Sequence, residues 1–145
     1  MCGILGTYPT QDQAFIENGI AKIKHRGPDD DAVVRMSNGA FGHTRLSIID
    51  VDKGGQPMAH RDAWIVFNGE VYNYQKIKKL LPGKMSTDSD TEVVLQLYRL
   101  LGPESVSLLD GMFAFAIADR GSLFLGRDPL GIKPLYYAIR DKTCL

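Results

Sequence analysis

The chain begins Met1-Cys2-Gly3-Ile4-Leu5-Gly6, and this stretch decides how the rest of the sequence is interpreted. We expect the initiator methionine to be removed, because the second side chain is small, which leaves Cys2 as the first residue. Cys2 would then carry a thiol beside a free α-amine, and α-amines have a reference pKa of about 7.7–8.0. Such an amine can act as general base for its own thiol. The opening therefore predicts a nucleophile held at the start of a buried strand, with a frayed terminus as the alternative.

The composition limits the classes of protein to consider. With 145 residues, 44% of them hydrophobic, the chain can form one domain with its own core. A formal net charge of +0 gives no basis for binding nucleic acid or an anionic membrane, and no apolar run is long enough to span a bilayer. The N-terminus is not that of a signal peptide. The two cysteines, Cys2 and Cys144, predict free thiols and a cytoplasmic location.

Nothing in the sequence predicts a cofactor or a metal. His25, His43 and His60 lack the spacing of metal ligands, so structural histidines are the better interpretation. No phosphate-binding glycine motif is present.

The hydrophobic pattern of the first half predicts strands and one helix. We expect a strand near residues 2–8 and then a helix with a capping box at Thr10 and Gln13, whose apolar face is Ile16, Ile20 and Ile23. Residues 32–36 and 40–47 read as a hairpin around Asn38-Gly39.

The second half follows the same reasoning. Residues 64–67 read as a short buried strand, and two helices follow it, the first capped by Asn73 and the second opened by a capping box at Ser89 and Glu92. The predicted inward faces are Ile77, Leu80 and Leu81 for the first, and Val94, Leu97, Tyr98 and Leu101 for the second. Residues 112–118, 122–126 and 134–139 read as strands. This order predicts an α+β fold with mainly antiparallel sheets.

Three polar positions are candidates for binding or catalysis. Asn68-Gly69, at the end of an apolar run, offers an amide and an unhindered N–H that suit an oxyanion, although an ordinary Asn-Gly turn is the alternative. Arg45 suits a carboxylate held by two hydrogen bonds, or an ordinary ion pair. Asp90 suits a substrate ammonium, or is simply a favourable first-turn charge.

Together these residues resemble class II glutamine amidotransferases, and in particular the glutaminase half of glutamine-dependent asparagine synthetase. The matching motifs follow the family's order over nearly the whole chain. They are Met1-Cys2-Gly3-Ile4, His25-Arg26-Gly27-Pro28-Asp29, His43-Thr44-Arg45-Leu46-Ser47-Ile48-Ile49-Asp50, Gly55-Gln56-Pro57, Asn68-Gly69-Glu70-Val71-Tyr72-Asn73, Ser89-Asp90-Thr91-Glu92, Asp110-Gly111-Met112-Phe113-Ala114-Phe115-Ala116 and Gly126-Arg127-Asp128-Pro129-Leu130-Gly131-Ile132-Lys133-Pro134-Leu135-Tyr136-Tyr137.

The resemblance implies a fold, a reaction and a set of roles. The fold is the αββα sandwich of N-terminal-nucleophile hydrolases, and the reaction is hydrolysis of L-glutamine to glutamate and ammonia through a thioester on Cys2. Asn68 and the N–H of Gly69 would form the oxyanion hole. Arg45 would hold the α-carboxylate, and Asp90, with Glu70 nearby, the α-amine. The pocket would be lined by Leu46, Ser47, Ile48 and Ile49.

The departures from the family define the remaining expectations. Residues 1–145 form the amidotransferase domain, while the C-terminal part of that domain and the synthetase domain are expected to be missing. The strand at 134–139 would then keep an unpaired edge, available to a synthetase-type partner or to self-association. A non-catalytic binding module, or the ammonia-supplying half of another amidotransferase, stay open as alternatives.

Overall fold

The computed structural model describes residues 1–145, which form two main antiparallel sheets and a small two-stranded one. The first sheet has the order β1-β3-β2, with β1 at Gly3–Thr7, β2 at Asp30–Met36 and β3 at Gly39–Arg45. The second has the order β4-β5-β6-β7, with β4 at Met58–His60, β5 at Ala63–Val71, β6 at Gly111–Asp119 and β7 at Ser122–Arg127. The hairpin predicted around Asn38-Gly39 is present between β2 and β3.

Helices cover the outer face of each sheet. Helix α1 (Gln13–Ile23) buries Ile16 and Ile20 against Ala40 of the first sheet. The short α2 (Tyr74–Lys78) and the longer α3 (Asp90–Leu101) pack on the second sheet around the largest apolar cluster. A third cluster, which includes Phe41 and Val66, lies between the sheets. The result is the predicted αββα sandwich, and no helix in it has the length and apolar character needed to cross a membrane.

Neither predicted capping box forms in full. Asp12, not Thr10, caps α1, because its carboxylate is placed to accept from the Phe15 N–H at 2.9 Å. Ser89 does cap α3, accepting from the Thr91 N–H at 3.0 Å. Glu92 does not reach back to Ser89 and instead accepts hydrogen bonds from the preceding loop, including the Ser86 N–H at 2.9 Å.

Two residues of the predicted inward faces of α2 and α3 are exposed. Leu80, which follows α2, is 82% exposed, whereas Leu81 beside it is buried as predicted. Leu101 is 43% exposed at the last position of α3. Asn73 precedes α2 without capping it. Its side chain instead joins two loops, donating to the Leu108 carbonyl at 2.9 Å and accepting from the Asp110 N–H at 3.1 Å.

The predicted strand at 134–139 is wrong. Only Ile139–Arg140 (β8) is a strand there, and it pairs with Thr143–Cys144 (β9) in a small separate sheet. The preceding loop is held by the Asp128 carboxylate, which accepts from the N–H groups of Ile132 and Lys133 at 2.8 and 3.0 Å. These bonds hold the chain in a turn, so the unpaired edge expected at 134–139 is not formed. The outer strands of the main sheets are β1 and β2 in one and β4 and β7 in the other.

Candidate active site

An open cleft of about 720 Å³, including its mouth, brings together most of the residues singled out from the sequence. The predicted site residues that line it are Cys2, Arg45, Leu46, Ile48, Ile49, Asn68, Gly69, Glu70 and Asp90. Ser47 is not part of the lining, and its backbone N–H donates to the Asp29 carboxylate at 2.7 Å.

Cys2 is positioned by the pairing of β1 with β3. Gly3 lies opposite Thr44, and its N–H donates to the Thr44 hydroxyl at 3.1 Å, where a side chain on Gly3 would collide with that oxygen. Cys2, one residue earlier, therefore lies beside the end of β3, where its sulfur is 3.5 Å from the Leu46 nitrogen. Arg26 fixes the backbone from the other side by donating to the Cys2 carbonyl at 3.1 Å. The thiol is half-buried and forms no disulfide.

Asn68 and Gly69 lie inside β5, not at its end as expected from the sequence. Asn68 is opposite Ala114 and Gly69 is opposite Phe113. A Cβ on Gly69 would lie 2.2 Å from the Met112 carbonyl oxygen, so the close approach of β6 requires glycine here. The Asn-Gly turn is thereby excluded.

The alternation of β5 directs the Gly69 N–H away from β6. Opposite it, Phe113 turns its own backbone groups toward Asp128, accepting from the Asp128 N–H at 2.8 Å and donating to its carboxylate at 3.2 Å. N–H groups two residues apart on a strand point to the same side. On that side the Phe67 N–H donates to the Gln56 side chain at 2.7 Å, and the Val71 N–H donates to Asp90 at 3.0 Å. The Gly69 N–H lies between these two and faces the cleft.

Arg45 places a guanidinium in the wall of the cleft. Two loop carbonyls accept hydrogen bonds from it, those of Val51 at 2.8 Å and Asp50 at 2.7 Å, and the residue is only 8% exposed. Arg45 forms no ion pair with any carboxylate of the protein. Its positive charge is therefore fixed in direction and still available to an anion.

Asp90 supplies negative charge at the start of α3. It is 5% exposed, and burial raises the pKa of its carboxyl, an effect that the Glu70 charge reinforces and that hydrogen bonds from the Val71 and Thr91 N–H groups oppose. Glu70 lines the same cleft. The cleft thus holds the fixed Arg45 cation and two carboxylates, with Lys133 as a second cation in its wall, an arrangement that suits a ligand carrying both signs of charge.

Two further residues of this site were missed by reasoning from the sequence. Gln56 braces the cleft by accepting from the Phe67 N–H and donating to the Thr91 hydroxyl at 3.2 Å. Lys133 lines the cleft while being only 6% exposed. Both stand in motifs that carried the family resemblance, which was the only signal available for them.

His43, interpreted from the sequence as a structural histidine, does not line the cleft. Burial lowers its pKa to about 4, and its Nε2 has no hydrogen-bond partner.

Comparison with known proteins identifies the family. The family model described as a glutamine amidotransferase domain matches residues 1–145. The chain belongs to this family. It is 46% identical over 158 residues to asparagine synthetase [glutamine-hydrolyzing] 1 of Bacillus subtilis, an alignment that covers 99% of this chain and 25% of the relative. It is 39% identical over 147 residues to asparagine synthetase B [glutamine-hydrolyzing] of Escherichia coli, an alignment that covers 94% of this chain and 26% of the relative. The chain therefore spans about a quarter of the length of these curated relatives.

Solved structures show the same fold. Glutamine phosphoribosylpyrophosphate amidotransferase from B. subtilis superposes with a TM-score of 0.82 at 21% identity, covering 99% of this chain and 41% of that chain. The structure described as the allosteric regulatory enzyme of purine biosynthesis gives 0.83 at 21% identity, with the same coverage. These matches confirm the predicted N-terminal-nucleophile hydrolase sandwich.

Proposed function

We propose that this amidotransferase domain hydrolyses the side-chain amide of L-glutamine to glutamate and ammonia through a thioester on Cys2. One observation supports the proposal above the others. The Cys2 thiol shares a cleft with two hydrogen-bond donors, Asn68 and the Gly69 N–H, and with separated charges of both signs. A nucleophile, donors for an oxyanion and a site for an amino acid are the parts that amide hydrolysis needs.

The reaction follows from placing the substrate amide against Cys2. The sulfur attacks the amide carbon while the thiol proton moves to the free α-amine of processed Cys2. The carbonyl oxygen becomes an oxyanion, which accepts hydrogen bonds from Asn68 and Gly69. The carbon–nitrogen bond then breaks, and the leaving nitrogen takes the proton from the α-ammonium to form ammonia. Water attacks the thioester by the same route, and the sulfur leaves with its proton restored as glutamate forms.

The charges in the cleft select a free amino acid. Arg45 binds the α-carboxylate, because its guanidinium is held in place by loop carbonyls and has no internal anion. Asp90, with Glu70 nearby, binds the α-ammonium. Leu46, Ile48 and Ile49 cover the aliphatic part of the substrate. We assign no metal or cofactor to this chemistry.

The ammonia is passed to a synthetase-type partner or domain. Support comes from the relatives, which are named glutamine-hydrolysing asparagine synthetases and are about four times as long as this chain. Any synthetase that consumes ammonia places the same demand on this domain, so the identity of the acceptor does not change the proposed reaction. A cytoplasmic location fits two cysteines that are both free.

The test compares the two cysteines. Protein whose intact mass shows Cys2 as the first residue should release glutamate from glutamine. Cys2→Ala should lose at least about a thousandfold in rate, since it removes the nucleophile. Cys144→Ala, which changes the half-buried cysteine of β9, should keep the rate. A protein that keeps any residue in front of Cys2 should also be inactive, because its α-amine is acylated. If correctly processed wild-type protein shows no turnover, the proposal fails and the non-catalytic binding module takes its place.

A further inference from the structure

Lys133 is a buried lysine in the wall of the active-site cleft. The residue is only 6% exposed and forms no ion pair with any carboxylate. Its backbone is fixed on both sides, since its N–H donates to the Asp128 carboxylate at 3.0 Å and its carbonyl accepts from Arg127 at 3.0 Å. Lysine is almost never buried without a partner, because an unpaired ammonium loses its hydration. A buried cation without a carboxylate partner, in the wall of the cleft that also holds Cys2, therefore calls for a function.

The one side-chain hydrogen bond of Lys133 is with Met1, the residue that we expect processing to remove. Its Nζ lies 2.9 Å from the Met1 sulfur, and a thioether is a weak acceptor. When Met1 is cleaved, this contact disappears and the nitrogen that was bonded to Met1 becomes the α-amine of Cys2. The ammonium of Lys133 then remains at the same end of the cleft as that new amine.

This inference rests on the proposed function and extends it to one more residue. We propose that Lys133 is a positioning residue of the nucleophile, whose ammonium keeps the Cys2 α-amine in its neutral, proton-accepting form. A neighbouring positive charge disfavours protonation of an amine, and the effect is strong where water is excluded. It also favours the negative charge that develops as sulfur attacks.

Two other cations lie near Cys2. Arg45 in β3 is offset by Glu70 in β5 and Asp90 at the start of α3, which line the same cleft. Arg26, which follows α1, donates to the Cys2 carbonyl and is half-buried, so its positive charge adds to that of Lys133. Lys133 differs from Arg26 because it is buried and lines the cleft itself.

The pH dependence of glutamine hydrolysis tests the proposal. In Lys133→Met, which keeps the aliphatic stem, the acid limb of kcat/KM should move upward by about one pH unit, a tenfold loss of rate at low pH. Lys133→Arg should restore the wild-type profile. Lys22→Gln, which removes an exposed lysine of α1, is the matched control and should leave the profile unchanged. A Lys133→Met profile that superimposes on the wild-type profile overturns the proposal.

A second measurement tests the proposal without relying on glutamine turnover. Acetylation of the α-amine of residue 2 by an N-hydroxysuccinimide ester requires the neutral amine when it is measured in a Cys2→Ala background, where no thiol can take the acetyl group first, and peptide mass analysis separates it from lysine labelling. Its rate at pH 6 should fall about tenfold in Lys133→Met, and an equal rate in both proteins overturns the proposal. Should wild-type protein fail to hydrolyse glutamine while this difference persists, the proposed function fails and the electrostatic role of Lys133 stands. Lys133→Gln replaces Lys133→Met if the latter does not fold.

Discussion

The space between the two sheets has two ends of opposite character. At one end the cleft presents Cys2, Arg45 and Asn68, and only 7 of its 17 lining residues are hydrophobic. At the other end lies an apolar groove of about 500 Å³, in which 13 of 15 lining residues are hydrophobic, Phe41 and Val66 among them. Both ends are built from the same strands, because β3 carries Phe41 and Arg45, and β5 carries Val66 and Asn68.

The contrast shows how little of the fold changes to make a site. Side chains two residues apart on a strand share a face. On one face of β5, Val66 therefore belongs to the apolar end, and Asn68, two residues further on, belongs to the polar end. The apolar end gains stability from burial of hydrophobic surface. The polar end instead keeps buried groups whose partners are loop carbonyls, backbone N–H groups or a ligand. Substitutions at matched positions should therefore affect activity at one end and stability at the other.

The largest effect is expected at Gly69 in β5, where the backbone of β6 leaves no room for a side chain. In Gly69→Ala the new Cβ would meet the Met112 carbonyl oxygen at 2.2 Å and the Phe113 Cα at 2.6 Å, and neither backbone atom can move without shifting β6. We expect a loss of about 3 kcal/mol in the free energy of unfolding together with loss of glutaminase activity. Gly55→Ala, whose Cβ would enter open space, is the control and should unfold at the wild-type urea midpoint. Equal midpoints for the two variants would contradict the register of β5 and β6.

The second prediction compares neighbouring positions on one face of β5. Asn68→Ala removes a proposed oxyanion donor and should lower kcat by about 10²–10³ with little change in stability. Val66→Ala, at 1% exposure in the apolar layer, should instead lower the free energy of unfolding by about 2 kcal/mol while keeping most of kcat. Steady-state kinetics and urea unfolding of both variants separate the two outcomes. A kcat loss of the same size in both would show that Asn68 acts through packing.

Much of the fold was predictable because it is encoded by local periodicity. The Asn38-Gly39 turn predicted the hairpin of β2 and β3, and the spacing of Ile16 and Ile20 predicted α1. The segment at 134–139 misled the prediction because Tyr136 and Tyr137 favour strands, yet a strand forms only where an edge accepts it. Tyr136 is 89% exposed, so the strand preference of this tyrosine is not supported by packing against a neighbouring strand.

The site was only partly predictable, for a different reason. Arg45, Asn68 and Asp90 each had an ordinary structural interpretation, and the fold is what brings them into one cleft. Lys133 gave no signal of its own, because a sequence does not show which lysine side chain will be buried in the folded protein. The resemblance to a family assigned roles to Arg45, Asn68 and Asp90. Only the contacts across the sheets show which of these residues face one another.

The smallest effect is expected at the boundary between the two ends, where His43 lies on the same face of β3 as Phe41. Burial lowers the pKa of His43 to about 4, while an unfolded histidine titrates near 6.5. Between these values the unfolded chain binds the additional proton, so stability is full above about pH 6.5 and is lost as the pH falls toward 4. Asp90, whose pKa burial raises, contributes with the opposite sign and partly offsets the loss.

His43→Gln should therefore flatten the pH dependence of unfolding without greatly changing stability at neutral pH. Wild-type protein should lose about 2 kcal/mol more than the variant between pH 7 and pH 4.5, as measured from urea midpoints. His25→Gln, at an exposed position after α1, should behave as wild type. If His43→Gln and wild type show the same slope, the histidine is protonated in the folded state. The apolar packing would then accept a charge beside Arg45, and the sharp division between the two ends would not hold.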